Sequence, residues 1–176
     1  LYIGLAILLA WYGYVITDRN SDWRNETTII ASGYEVSPNS VVSLTNMAFL
    51  DFNKKNYIGA TQWAEKALDI LPDHLPALFL AGHAYKIQGD LELAESYWLK
   101  VAELNPNYTP VYLSLGILYY ETGNLNKAEL VLQKGFELER TWGKVFPLAL
   151  VKINLGKYDE AIGLVSNNFG TNPEKR

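Results

Sequence analysis

The chain has 176 residues, of which 15 are basic and 19 acidic, for a net charge of −4, and 49% of it is hydrophobic. That apolar share supports a packed core and excludes a disordered polymer, while the acidic balance excludes the basic face that nucleic acid needs. With no cysteine in the chain, a disulfide framework, a thiolate nucleophile and a cysteine zinc site are all excluded.

Residues 1–17 read LYIGLAILLAWYGYVIT without a charge, and Asp18-Arg19 ends the run. As a helix this stretch spans about 25 Å at ~1.5 Å per residue, slightly under a hydrocarbon core of about 30 Å. Trp11, Tyr12 and Tyr14 near its polar end suit a membrane interface. It lacks the basic start and the small-residue cleavage site of a signal peptide. The expectation is a transmembrane or assembly helix, in a chain that begins with leucine and so is processed or part of something longer. Residues 18–38 form a junction and a single helix from about Asp22 to Val36, with Trp23 and the Ile29-Ile30 pair inward and Pro38 closing it.

From there the sequence repeats. Pro38, Pro72 and Pro106 are spaced by 34 and 34; Ala60, Ala94, Ala128 and Ala161 by 34, 34 and 33. Gly82 and Gly116 share the period, and Gly89, Gly123 and Gly156 each stand five residues before one of those alanines. Each series has a physical reading as part of an antiparallel helix pair. Gly82 and Gly116 mark a close approach of two helices. Gly89, Gly123 and Gly156 supply the backbone freedom that a helix C-terminus uses. The small alanines let the second helix nest on the first, and the prolines stop it. The domain boundaries follow: repeats at 39–72, 73–106 and 107–141, a degenerate fourth repeat or cap at 142–169, and a polar tail at 170–176.

Leu78, Ala81, Gly82, Tyr85, Ala94 and Pro106, then Tyr112, Leu115, Gly116, Tyr119 and Ala128, resemble the tetratricopeptide repeat (TPR), whose pattern is W-x2-L-G-x2-Y, alanine, proline. Arg140 replaces the last proline. The implied fold class is all-α, a TPR α-solenoid of antiparallel helix pairs behind the apolar N-terminal helix. The junction carries a second resemblance. Arg19, Asn20, Asp22, Trp23, Glu26 and Pro38 match in order the stretch that follows the last membrane helix of the transmembrane-and-TPR-containing glycosyltransferases, of the protein O-mannosyltransferase type. That resemblance implies a membrane location with the repeats extracytoplasmic. The family's catalytic acids lie in loops between earlier membrane helices, so no catalytic residue carries over.

The TPR resemblance also implies which surface binds. The family lines its concave face with fixed positions of each first helix, here Val42, Thr45, Phe49, Phe52 and Asn53, then Pro76, Phe79, His83, Lys86 and Ile87. The third repeat adds Pro110, Leu113, Ile117, Tyr120 and Glu121, and the fourth Phe146, Leu150 and Ile153. The groove so defined is apolar and aromatic with one lysine, unlike the cationic clamps for acidic peptide tails. An apolar stripe of this length marks a partner site, and an amphipathic helix is its natural occupant; the alternative is that some of these side chains pack inside a tightly curled solenoid.

Other chemistry finds no support. His74 and His83 lie nine apart, off metal-ligand spacing, and no phosphate-cradling glycine loop occurs. Asp18 with Asp22, and Asp51 with Asp69, fit helix caps and solvated faces. No catalytic residue, cofactor, metal or small-molecule substrate is assigned. Two N-x-T sequons, at Asn25 and Asn107, are candidate glycosylation sites in an extracytoplasmic chain. The expected function is a non-catalytic, membrane-anchored, extracytoplasmic scaffold for a protein partner. Two alternatives stand beside it. One is a self-assembling subunit, an oligomer or a pilus-like extracellular filament, with the apolar helix buried between copies. The other is the non-catalytic C-terminal region of a membrane glycosyltransferase.

Overall fold

The computed structural model describes residues 26–169. The apolar stretch 1–17, the start of the junction with Asn25, and the tail 170–176 lie outside the described residues. Among the described residues the regular elements are helices alone: α1 (Glu26–Val36), α2 (Val41–Asn53), α3 (Tyr57–Ile70), α4 (Leu75–Gln88), α5 (Leu91–Leu104), α6 (Thr109–Glu121), α7 (Leu125–Leu138), α8 (Trp142–Asn154) and α9 (Tyr158–Phe169). The chain divides into two compact units, Leu1–Leu80 and Ala81–Arg176.

The helix ends sit where the punctuation places them. Gly89, Gly123 and Gly156 have φ of 89°, 77° and 74°, the left-handed conformation that glycine adopts without a Cβ clash. The first repeat makes the same turn without glycine: Lys55, 34 residues before Gly89, holds φ 62°. Asn56 then caps α3, its side chain accepting from the Gly59 amide at 3.2 Å, and Asp90 caps α5 by accepting from the Leu93 amide at 3.1 Å. These bonds satisfy amides that a first helical turn leaves open. Leu71 leaves α3 in an extended conformation, as a residue before proline favours. Glu139 leaves α7 extended as well, although Arg140 stands where the proline is absent.

In the first unit, Leu44, Ala67 and Ala77 form a buried core flanked by Tyr34, Val41, Trp63 and Leu68. Tyr34 of α1 meets Trp63 of α3 edge to face, centroids 5.1 Å apart, so α1 packs on the first helix pair. Asp51 accepts from the Trp63 indole at 3.1 Å and from the Asn56 amide at 3.2 Å, a structural role.

In the second unit the small residues do what their spacing implies. Ala94 and Ala128 are fully buried, as is Ala60 in the first unit, and Ala161 is 3% exposed. Gly82 lies against the fully buried Trp98, and Gly116 against Leu132; a Cβ at either glycine would overlap the facing side chain. Tyr85 stacks on Tyr97 at 5.6 Å.

Successive repeats of this unit are also latched by side chains. The Tyr119 hydroxyl of α6 donates to Glu95 of α5 at 2.6 Å. Lys152 of α8 stands where Tyr119 stood one repeat earlier, and its Nζ donates to Glu129 of α7 at 2.8 Å. The fourth repeat therefore replaces a neutral hydroxyl by a buried ammonium. Lys152 also reaches Glu160 at 2.6 Å, and Lys157 reaches the other Glu129 oxygen at 2.6 Å. Bonds from Lys152 and then Lys157 hold the Glu129 carboxyl below its ordinary range. Burial opposes the charge on Lys152, but Glu129 and Glu160 together raise its pKa.

Candidate protein-binding face

The face assigned to partners is built on the first helices of the pairs. A helix leaning on its second helix buries one stripe and turns the opposite one outward. In α2 the outward residues include Val42 and Phe49, 61% and 45% exposed. Phe52 is half-buried and its ring meets Tyr57 edge to face at 5.4 Å. Thr45, counted on the face by register, is instead buried, its hydroxyl donating to the Val41 carbonyl at 2.7 Å. Phe79 of α4 is half-buried.

In the second unit the face closes into a pocket. Ile117 and Tyr120 of α6 and Phe146 and Leu150 of α8 border a cavity of about 220 Å³ with a wholly apolar lining, floored by Leu132. Four of the residues expected on the face thus share one pocket. Phe146 at its rim is 69% exposed. Leu113 is half-buried on the same helix as Ile117. Tyr120 is held by a polar bond, its hydroxyl accepting from the Asn154 amide at 3.3 Å.

The charges on this face are internally matched. Lys86 Nζ lies 2.9 Å from Glu121. His83 packs its ring edge to face on Trp98 at 4.9 Å, and its Nε2 is 3.4 Å from the Ser114 hydroxyl. Burial first, and then the neighbouring Lys86, lowers the His83 pKa below its ordinary value, so the imidazole is neutral at pH 7. An acidic peptide tail would find no concentrated positive charge here.

Register alone did not reveal the Glu129, Lys152, Lys157 and Glu160 network; the signal for it was a lysine at the signature tyrosine position. Asn107 is exposed in the turn between α5 and α6, while Thr109 of its sequon donates to Glu139 at 2.6 Å. Among the described residues no group of three or more His, Asp or Glu could hold a metal ion, and no helix is long and apolar enough to cross a membrane.

Comparison with known proteins accounts for this architecture. The tetratricopeptide repeat model matches residues 75–108 and 109–141. The yeast (Saccharomyces cerevisiae) anaphase-promoting complex subunit CDC16 is 29% identical over 113 residues, 60% of this chain and 14% of that protein. Human protein O-mannosyl-transferase TMTC3 is 26% identical over 131 residues, 66% of this chain and 14% of the enzyme. The chain therefore spans about one seventh of these curated relatives. Among solved structures, MamA superposes with a TM-score of 0.74 at 18% identity, covering 83% of this chain and 86% of that one. The first TPR of Spaghetti (RPAP3), bound to the HSP90 peptide SRMEEVD, superposes with a TM-score of 0.63 at 21% identity, covering 66% and 93%. Residues 75–141 are tetratricopeptide repeats, and the fold is the TPR α-solenoid.

Proposed function

We propose that the chain is a non-catalytic docking scaffold whose first-helix face holds an amphipathic helix of a partner protein, and that the uncharged stretch 1–17 tethers it to a membrane with the repeats extracytoplasmic. The observation that carries the docking reading is the pocket of Ile117, Tyr120, Phe146 and Leu150, apolar throughout and open at Phe146. A side chain as large as phenylalanine, left 69% exposed beside an empty apolar pocket, fits an interface better than a solvated surface. The matched Lys86 and Glu121 pair supports an apolar ligand over an acidic one. An amphipathic helix presenting apolar residues at i, i+3 or i+4, and i+7 suits such a groove. The tether rests on the sequence of residues 1–17 and on the likeness to TMTC3.

The test is a photo-crosslinking amino acid placed at Phe146 or, as control, at Leu130, which is 73% exposed on α7. In the native host the Phe146 probe is expected to capture a defined partner, and Phe146→Glu to weaken that partner's binding by at least about tenfold. Equal labelling from both probes, or full binding by a folded Phe146→Glu protein, overturns the docking reading. Release of the chain from membranes by alkaline carbonate overturns the tether.

The TMTC3 match over 131 residues favours one further reading, in which these repeats are the docking portion of a membrane glycosyltransferase. An antibody to the repeats that detects a native species no larger than these 176 residues would exclude it.

A further inference from the structure

The junction of α4, α5 and α6 encloses a titratable group that the apolar pocket does not use. His83 of α4 follows Gly82, whose missing side chain admits the Trp98 ring of α5. Trp98 is fully buried, and the imidazole covers it edge to face with centroids 4.9 Å apart. From α6 the Ser114 hydroxyl stands 3.4 Å from His83 Nε2 while donating to its own Pro110 carbonyl at 3.3 Å. A hydroxyl has one proton to give, so Ser114 is left to accept, and Nε2 carries the proton of the neutral ring. His83 itself is half-buried, so one side of the ring reaches the first-helix face.

The charged groups of the three helices disfavour a second proton on this ring. Lys86 of α4, one turn beyond His83, is a like charge. Glu121 of α6 has its carboxylate 2.9 Å from Lys86. Glu95 of α5 accepts from the Tyr119 hydroxyl at 2.6 Å and lies 3.8 Å from Lys127. Burial first, and then Lys86, hold the His83 pKa below its ordinary 6.5. A group depressed in this way contributes stability that is complete above about 6.5 and is lost as the pH falls through the lower folded value. Trp98 is fixed in the helix crossing against Gly82, so the imidazole, at the surface, is the ring that moves.

We propose that His83 is an acid-sensitive cover over Trp98: protonation drives the imidazole off Trp98 and Ser114, and the indole opens onto the first-helix face. Ser114 lies one turn before Ile117 on α6, so the acid form also loses a bond to the helix that walls the pocket. The cover works whether or not that pocket holds a partner.

Two histidines and five tryptophans are few enough to follow singly by nuclear magnetic resonance. The full chain in mild detergent, with isotope-labelled histidine and tryptophan, is titrated between about pH 7.5 and 5. His83→Gln and Trp98→Phe assign the two signals, and circular dichroism verifies that both variants fold. The His83 ring is expected to titrate with a midpoint below 6.5. The Trp98 indole should follow that midpoint and, at the acid end, exchange with solvent at least about threefold faster than in His83→Gln. Trp63, whose indole donates to Asp51 at 3.1 Å in the first unit, should keep its exchange rate relative to the same variant. A wild-type midpoint at or above 6.5, or Trp98 exchange that is equal in His83→Gln, overturns the proposal. So does a Trp98 signal that shifts without faster exchange, since the ring is then charged in place.

Discussion

Replacing Glu129 with glutamine isolates the latch between the third and fourth repeats. Glu129 is the acceptor on which two ammonium groups converge, Lys152 Nζ at 2.8 Å and Lys157 Nζ at 2.6 Å. The side chains of Lys152 and Glu129 are 11% and 17% exposed, against 40% for Lys157. Glutamine preserves shape and one acceptor but removes the charge, leaving Lys152 with Glu160, which is 57% exposed. Deleting one partner of a deeply buried pair costs about 3–5 kcal/mol, and losing an exposed pair about 0–1 kcal/mol. With one arm buried, one open, and Glu160 still in place, the expected loss is about 2 kcal/mol. For a chain of this size that lowers Tm by about 4–8 °C.

The assay is urea denaturation of wild type and Glu129→Gln at several pH values, with amide exchange to locate the loss. Because repeats contact only their neighbours, protection should fall in α8 and α9 and stay unchanged in α2. The pH dependence has a definite sign. The folded-state pKa of Glu129 lies below its ordinary value of 4.5 because Lys152 and Lys157 donate to it. Its contribution is therefore complete above about 4.5 and disappears as the pH falls through the depressed folded value. The stability gap between the two proteins should be largest near pH 7 and close as acid protonates Glu129. A gap below about 0.5 kcal/mol at pH 7, the size of an ordinary surface substitution, would refute the reasoning. So would one that persists unchanged after Glu129 has titrated.

Two glycine predictions separate packing from propensity: Gly116→Ala overlaps Leu132 and should destabilise by about 1–3 kcal/mol. Gly33→Ala, in α1 with nothing within 4 Å of the added Cβ, should stabilise by about 0.5–1 kcal/mol. Urea midpoints of the two variants should therefore move in opposite directions, and movement in the same direction would contradict the packing account. Lys55→Gly relieves a left-handed residue at φ 62° and should raise stability by about 0.5–1 kcal/mol. An unchanged or lowered melting temperature would show that the Lys55 side chain compensates for the turn.

The features legible in the sequence are those that the backbone itself demands once per repeat. A helix crossing needs a small residue at every repeat, so Gly82, Gly116, Ala94 and Ala128 recur in phase. The turn needs a left-handed residue, so Gly89, Gly123 and Gly156 recur as well. Lys55 escaped that reading because the fold imposes the conformation there against the residue's preference. Register also grouped Ile117, Tyr120, Phe146 and Leu150, which line one pocket. Register could not say that Thr45 turns inward, its hydroxyl donating to the Val41 carbonyl at 2.7 Å, since a hydroxyl satisfied within its helix costs little to bury.

The latch was hidden for a different reason: its two members lie in adjacent helix pairs, and the donor changes from tyrosine to lysine while the acceptor stays glutamate. Glu95 receives the hydroxyl of Tyr119, an oxygen that bonds without carrying charge. Glu129 receives the ammonium of Lys152, and a second lysine and a second glutamate join to balance that buried charge. At the next place in the series Ile162 has no acceptor oxygen to offer. A periodic reading treats Lys152 and Ile162 as decay of a consensus in a degenerate repeat. Physically they are different choices at related positions: Lys152 holds the fourth repeat to the third by charge, and Ile162 places an exposed apolar side chain where Glu95 and Glu129 carry a carboxylate. Decay alone would leave the partners unadjusted. Around Lys152 the partners are adjusted atom by atom, with Glu129, Glu160 and Lys157 all joined in one network, so the departure from the consensus tyrosine is a substitute latch and not its loss.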